Sequence, residues 1–202
     1  MAATACSGGE SDGQAQPQPS SQAGSTASAA PSSPADDGQE LPHSGAPAVA
    51  NPLPRSVLSG DACAEALTNT QAKELLGDAV TSKNADSSRL GPGCSWSNQD
   101  TQAGFTLNYD VRGGQGLSAV YANGRPKVDH FAEIDPIGGL PSVQYWDNDE
   151  NRACSTVVGL ADEYAVVMTL TIGTKGAEQG DDPCEAARTV MDRVVGNLKA
   201  KA

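Results

Sequence analysis

The sequence predicts an α+β protein: a single, mostly antiparallel β-sheet with helices packed on it, two disulfides, and a disordered N-terminal tether. Three observations predict this class. Several segments alternate apolar and polar residues, as half-buried strands do. The last segment repeats apolar residues at helical spacing behind an N-capping residue. Four of the five cysteines lie beyond residue 60, where they are available to staple helices to the sheet.

Residues 1–52 have the composition of a tether. They are rich in Ser, Ala, Gly, Pro and Gln, and contain no Lys, Arg or aromatic residue. Such a segment cannot bury enough apolar surface to offset the entropy lost on ordering, so we expect residues 7–51 to be disordered. A flexible chain of this length reaches roughly 35–40 Å. The folded domain is predicted to span residues 53–202.

Cys6 is the predicted lipid anchor. Ala3, Thr4 and Ala5 precede it, and a signal peptidase accepts only such short side chains at its cleavage site. The pattern resembles a bacterial lipobox with Ala3 in the usual place of Leu. The basic and apolar regions of a signal peptide are missing before Cys6, which indicates a start assigned too far downstream or a trimmed chain. The competing interpretation is an incidental cysteine in a flexible tail.

Attachment to a membrane would depend on acyl chains at Cys6. The sequence has no run of about 18 apolar residues that could span a bilayer. Acylation of Cys6 would place the domain on the extracytoplasmic face of the cell membrane, with the lipid bilayer as its first partner. The net charge of −12 falls to −7 for residues 53–202, because five acidic residues lie in the tether. A domain this acidic is repelled by nucleic acid, which excludes that class of partner.

The first half of the domain is predicted to hold two short helices and two strands. Asp61 caps a helix that runs to Leu67, and Thr70 caps a second that ends at Gly77. A strand then places Cys94 and Trp96 on one face. The next strand, residues 104–111, points its apolar side chains one way: Phe105, Leu107, Tyr109 and Val111.

The second half is predicted to be mainly strands and a long final helix. A helix is expected at 117–121, strands at 128–134, 143–146, 154–160 and 164–172, the last two at the centre of the sheet. Asp182 caps the final helix, Pro183 takes its first position, and Glu185 closes a capping box. Its apolar stripe comprises Ala187, Val190, Met191, Val194 and Leu198.

Three motif matches are interpreted as chance or as plain turns. Gly9–Gly13 fits G-x-S-x-G but lacks the strand and helix that a nucleophile elbow requires. The loop 113–116 lacks the Lys of a phosphate-binding loop. Asp147–Asn151 resembles the start of a calcium loop, but Arg152 stands where Gly is required. His43 has no neighbour in the sequence to share a metal with.

The four domain cysteines allow three pairings. Each half of the domain has one cysteine on a helix (Cys63, Cys184) and one on a strand (Cys94, Cys154), so we predict the disulfides Cys63–Cys94 and Cys154–Cys184. The spacings of 31, 60 and 30 residues contain no C-x-x-C pair, which disfavours the alternative of a zinc site. No cofactor is predicted.

These features together resemble a known family. The chain is similar to the actinobacterial lipoproteins grouped as a domain of unknown function, DUF3558, over residues 53–202. The motifs that carry the resemblance occur in the same order: the lipobox-like start, the tether, the Asp61-x-Cys63 helix ending in Leu-Leu-Gly, Gly93–Trp96, Gly138–Pro141, the strand opened by Cys154, and Asp182–Ala187. The resemblance implies an exported lipoprotein and offers no catalytic residue or cofactor.

The leading functional hypothesis is a non-enzymatic binding or accessory module of the cell envelope, whose partner is an unknown envelope protein or a small ligand. The candidate contact residues are Tyr121, His130, Tyr145 and Trp146, each of which also fits a role in packing.

Two alternatives stay open. One is a ligand-sensing domain that acts through a receptor or secretion partner. The other is a carboxylate-dependent hydrolase using Asp129, Glu133 or Asp135, which no motif marks.

Overall fold

One seven-stranded antiparallel sheet is the centre of the structure, a computed structural model that describes residues 39–147 and 152–202. The strands are β1 (Val80–Asn84), β2 (Gly93–Asn98), β3 (Ala103–Asp110), β4 (His130–Ile137), β5 (Leu140–Trp146), β6 (Ala153–Gly159) and β7 (Ala165–Thr171). Their order in the sheet is β1-β2-β3-β7-β6-β5-β4. The predicted α+β class is confirmed, and the predicted central strands are β6 and β7.

The sheet consists of two meanders that meet side by side. Strands β1 to β3 form the first and β4 to β7 the second, and β3 pairs with β7 in an antiparallel register that aligns Leu107 with Met168. Neighbouring strands of each meander follow one another in the chain, so short turns suffice to connect most of them. One of these turns is Gly138-Gly139, which joins β4 to β5 as a hairpin.

Five α-helices lie in the described residues: α1 (Ala62–Glu65), α2 (Asn69–Leu76), α3 (Gly116–Ala119), α4 (Gly173–Gln179) and α5 (Pro183–Lys199). The apolar stripe of α5 is buried as predicted, with Met191, Val194 and Leu198 fully inaccessible to solvent. This helix packs on β6 and β7. The side chains between α5 and the sheet belong to the main core. Burial of each such aliphatic side chain contributes about 1.5–3 kcal/mol to stability.

The second face of the sheet carries a smaller core. Leu117, Tyr121, Val143, Val157 and Ala165 are buried there. The predicted helix over 117–121 is instead α3 followed by a single π-helical stretch, Val120–Gly124. Tyr121 lies in this irregular segment and is buried in the second core.

Residues 39–52, which the composition assigned to the tether, pack onto the domain, with Ala46 in this second core and Val49 in the main core. The side chains of Ala46 and Val49 are buried at 9% and 8% exposure. The Val49 amide donates to Asp162 Oδ1 at 2.8 Å, and the His43 amide donates to Ser118 Oγ at 3.0 Å. The folded part therefore begins before residue 53, because partners far along the chain bury the few apolar residues of this segment. The rest of the predicted tether lies outside the described residues.

The predicted capping residues Asp61 and Asp182 are confirmed, but the capping box predicted for Glu185 is not, since among the described hydrogen bonds of α5 only the Asp182 carboxylate takes part in the cap. The Asp61 carboxylate accepts from the Cys63 amide, and the Asp182 carboxylate accepts from the Cys184 amide, each at 2.8 Å. Helix α2 is capped by Thr68 rather than by Thr70, with a reciprocal capping box to Gln71. The prediction of Thr70 was wrong because two Thr residues lie two positions apart and only the first has a glutamine three residues later.

Both predicted disulfides are present, Cys63–Cys94 and Cys154–Cys184, each with a Cα–Cα distance of 5.0 Å. In each, the helical cysteine lies two residues after the capping aspartate, and the strand cysteine is buried in the sheet. These bonds occupy the thiols that zinc would need. No helix in the described part of the chain has the length and apolar character needed to cross a bilayer.

Removing either disulfide should lower the stability of the domain. Cys154 and Cys184 are separated by 30 residues, and closing a loop of this size contributes roughly 3–4 kcal/mol through the unfolded state. We expect the double variant C154A/C184A to lose this much free energy of unfolding in guanidinium titrations. The matched variant C63A/C94A, with a separation of 31 residues, should lose a similar amount. A loss of under about 1 kcal/mol in both would contradict the assignment.

The ordered N-terminal segment should also contribute to stability. Val49→Ala removes two buried methyl groups, so we expect it to lower the free energy of unfolding by about 1–2 kcal/mol. The neighbouring Ala48 is exposed, and Ala48→Ser is the matched control without effect.

A chain starting at residue 53 should likewise unfold at lower denaturant concentration than one starting at residue 39. Equal midpoints for these two chains would show that residues 39–52 do not belong to the folded unit.

Candidate ligand groove

The four residues predicted to form a contact surface lie on two different faces of the sheet. His130 and Trp146 are directly opposite each other on β4 and β5, on the face that carries α5. Their rings stack at a centroid distance of 4.9 Å with an interplanar angle of 14°. Both side chains are partly buried, and Trp146 packs against the main core.

Tyr121 and Tyr145 lie on the opposite face with Phe131. The Tyr121 ring meets Phe131 edge to face at 5.2 Å, and Phe131 lies parallel to Tyr145 at 6.5 Å. The Arg125 guanidinium covers this cluster, 5.8 Å from the Tyr121 ring and 5.5 Å from the Phe131 ring. Tyr121 is only 3% exposed, so its place in the structure is that of a packing residue. The four residues therefore do not form a common site.

The carboxylates considered for hydrolysis lie at the edge of the sheet. Asp129 immediately precedes β4, and Glu133 and Asp135 lie within it. All three residues are exposed to solvent. A glycosidase needs two carboxyl groups on either side of the substrate, whereas these three side chains lie along one exposed edge of the sheet.

A groove of about 600 Å³ lies between α2, α4 and α5, at the ends of β3 and β7. We call it the α2–α4–α5 groove. Its floor is apolar and its rim is polar. The floor consists of Leu75, Leu76, Ala103, Leu170, Ile172, Ala186 and Val190, and the rim of Glu74, Thr101, Thr171, Lys175, Gly176, Gln179, Asp181, Asp182, Glu185 and Thr189.

Helix α4 forms one wall because glycines let it approach the β2–β3 turn. Gly173 has φ +69°, and a side chain there would lie 2.2 Å from the Thr101 carbonyl oxygen. Only glycine permits both the left-handed conformation and this close contact. Thr174 Oγ1 then donates to Gln102 Oε1 at 2.8 Å, which joins the helix to the same turn. The sequence did not indicate α4, since its two glycines lower its helix propensity.

Polar contacts hold α2, the other wall, beside α5. Asn197 Nδ2 donates to Gln71 Oε1 at 2.8 Å and to the Ala66 carbonyl at 2.9 Å. Arg193 Nη1 forms an ion pair with Glu74 Oε2 at 3.0 Å. Because this pair is about half exposed, it contributes little to stability, and the partly buried amide network of Asn197 holds the helices together.

The mouth of the groove is acidic. Glu74, Asp181, Asp182 and Glu185 contribute carboxylates, whereas Lys175 is the one cation among the described lining residues. Two of the carboxylates already have partners: Glu74 pairs with Arg193, and Asp182 accepts from the Cys184 and Glu185 amides. The side chains of Asp181 and Glu185 are exposed at the rim.

An apolar floor of this size inside a polar rim is suited to binding. The volume lies within the range of about 300–1,000 Å³ typical of small-molecule sites. Sequence reasoning singled out none of the lining residues as a site. The available signals were the Leu75-Leu76 pair at the end of α2 and the acidic residues around the start of α5. Among the described residues, no group of three His, Cys, Asp or Glu side chains is placed to hold a metal ion.

A second, shallower concavity of about 440 Å³ lies on the other face of the sheet, over β2, β3 and β7. Hydroxyl groups form a row across the strands there. Thr106 Oγ1 donates to Ser95 Oγ at 3.1 Å, and the hydroxyls of Ser155 and Thr169 are 2.8 Å apart. These hydroxyls therefore already bond to one another.

The predicted anchor Cys6 falls outside the described residues, and so does the Gly9–Gly13 match to G-x-S-x-G that was interpreted as chance. The acidic stretch at 147–151 is described only at Asp147, which is exposed. The ring of His43 lies beside the Ser44 hydroxyl, 3.0 Å from Nδ1, and its backbone amide joins the segment 39–52 to Ser118.

Comparison with known proteins gives a family and no closer relative. The family model described as "Protein of unknown function (DUF3558)" matches residues 1–197. No curated protein matches the chain, and no solved structure matches it.

Tyr121 gives a pH-dependent test of the second core. Burial raises the pKa of its hydroxyl to about 12, and the neighbouring Glu133 carboxylate acts in the same direction. The folded state therefore favours the neutral hydroxyl. The contribution of the Tyr121 hydroxyl to the free energy of unfolding is fully present below the ordinary tyrosine pKa of about 10. It is lost as the pH rises through about 12.

We expect Tyr121→Phe to lose less stability than the wild type between pH 9 and pH 11.5, values that bracket the ordinary tyrosine pKa of about 10. Urea unfolding at both values measures the difference. An ultraviolet titration of tyrosine ionisation gives the control, because the step missing in Tyr121→Phe should be one near pH 12. A missing step near pH 10 would contradict the burial of Tyr121.

Proposed function

The chain belongs to the DUF3558 family, and on that premise we propose that it is a non-enzymatic binding module of the cell envelope, tethered to the membrane through an acylated Cys6. The proposal has two parts, export and binding. The observation that carries it is the α2–α4–α5 groove, an apolar-floored cavity of about 600 Å³ with an acidic mouth.

Export is supported by the cysteine chemistry. Disulfides persist in oxidising compartments and are rare in the cytosol, where thiols are kept reduced. All four cysteines of the described domain form intramolecular disulfides. Cys6 is the one cysteine of the chain that is left over, and it follows the short side chains that a lipobox requires.

A tether suits a module that meets its ligand or partner away from the bilayer. Residues 7–38 consist mainly of small and polar residues with interspersed prolines. A flexible segment of about this length has a reach of roughly 30 Å, enough to hold a small domain clear of the lipid head groups. The excess of acidic residues in the domain also disfavours direct contact with anionic lipids.

Binding is supported by the partial exposure of the groove floor. Leu75, Leu76, Ile172 and Ala186 are only partly buried, although they lie next to the main core. A ligand that covers them removes apolar surface from water, which is the usual driving force for association in such a site.

Acylation and groove binding can be tested together in the host of origin. The full-length precursor should incorporate an alkynyl palmitate label, and Cys6→Ser should not. The purified domain should be thermally stabilised by an envelope extract, because a ligand that binds only the folded state raises its Tm. In Ala186→Trp the indole fills the groove and should abolish this shift. Ala200→Trp places the same ring on an exposed site outside the groove and should preserve it.

The two parts can fail separately. An unlabelled precursor with free domain thiols would contradict export and tethering. An extract that shifts the Tm of the wild type and of Ala186→Trp equally would place binding elsewhere, and no shift in either would contradict the binding role.

A further inference from the structure

We propose that the α2–α4–α5 groove binds a small amphiphilic cation, a molecule with an apolar body of drug-like size and one ammonium group. This inference rests on the proposed binding function and specifies its ligand class. Three observations carry it: the apolar floor, the acidic rim and the limited volume of the groove.

The floor selects an apolar body. Leu75 and Leu76 from the end of α2 line the groove together with the partly buried Ile172 and Ala186 and the buried Val190. A hydrocarbon or aromatic group placed there would complete the packing between the helices. The side chains of the floor have no polar atoms, so it holds no partner for a polar ligand body, whose desolvation would be uncompensated.

The rim selects a positive charge. Asp181 lies just before the cap of α5, and Glu185 lies in its first turn, so both carboxylates stand at the same end of the groove. Within the described part of the chain, neither carboxylate forms an ion pair like that of Glu74 or a helix cap like that of Asp182. Lys175, on the facing helix α4, is the one cation among the described lining residues. The carboxylates outnumber it, so the mouth has an excess of negative charge. A cation beside a low-dielectric floor is attracted more strongly than it would be in bulk water.

The size of the groove favours a small molecule over a protein. A stable protein interface buries about 800 Å² on each partner, whereas a cavity of about 600 Å³ matches a drug-sized ligand. The domain as a whole is acidic, so its field also draws cations toward the mouth and disfavours anions.

A charge series with one constant tail tests this proposal. Octyltrimethylammonium, octanol and octanoate, each kept below its micelle-forming concentration, would be titrated into the full chain and followed by amide chemical shifts. We expect octyltrimethylammonium to bind at least about tenfold more tightly than octanoate at low salt, with octanol in between. The ratio should shrink in about 0.5 M NaCl, because the rim is exposed and its charges are screened.

Variants separate the two elements of the site. D181N/E185Q should remove the preference for the cation and leave octanol binding unchanged. Asp192→Asn neutralises an exposed carboxylate of the same helix outside the groove and should keep the preference. Ala186→Trp should abolish binding of all three compounds. Guanidinium unfolding of each variant checks that it is folded.

Each outcome has one meaning. Equal or tighter binding of octanoate would overturn the ligand class while leaving a groove that binds apolar molecules. Binding by a basic peptide such as oligolysine, without binding of octyltrimethylammonium, would overturn it in favour of a macromolecular partner at the rim. If no octyl compound binds but envelope extract still stabilises the wild type and not Ala186→Trp, the ligand class is wrong and the proposed function stands. If neither the octyl compounds nor the extract acts, both fail.

Discussion

The packing of α5 across β6 and β7 is the contact on which the other features of this domain depend. Its apolar stripe fills the main core, and three attachments hold its first turn in register. Asp182 caps the helix, Cys184 bonds to Cys154 on β6, and the buried Gln144 of β5 donates to the Cys184 carbonyl at 2.6 Å. Because a cap, a disulfide and a buried hydrogen bond all meet within three residues, the start of α5 has little freedom to move.

This attachment also creates the candidate site. The same first turn of α5 that is fixed to the sheet provides Glu185 and Ala186 to the groove, while α2 is held alongside through Asn197 and Gln71. Since the floor residues adjoin the main core, a ligand there would contact side chains whose positions are already set. Binding to such a prepared site does not have to order a flexible segment, which lowers the entropic cost of association.

Particular residues show where sequence reasoning succeeded. The stripe of α5, the alternation of β3 and the echo between Asp61-x-Cys63 and Asp182-x-Cys184 identified the main core and both disulfides. It failed at β1, whose polar sequence Val80–Asn84 becomes a strand only by pairing with β2. It failed at α4, where Gly173 and Gly176 argue against a helix. It placed Tyr121, His130, Tyr145 and Trp146 in one surface, although β4 and β5 present alternate residues to opposite faces.

The sequence by itself determined the class of the fold, the final helix, the pairing of the cysteines and the family, because each depends on local periodicity, capping or the order of motifs along the chain. Only the tertiary structure decided that residues 39–52 belong to the folded unit and that α2, α4 and α5 enclose a groove. Both depend on contacts between segments that are distant in the chain, such as Val49 with Asp162 and Gln71 with Asn197. No local pattern records such contacts, since each partner's own neighbours in the sequence are compatible with other arrangements.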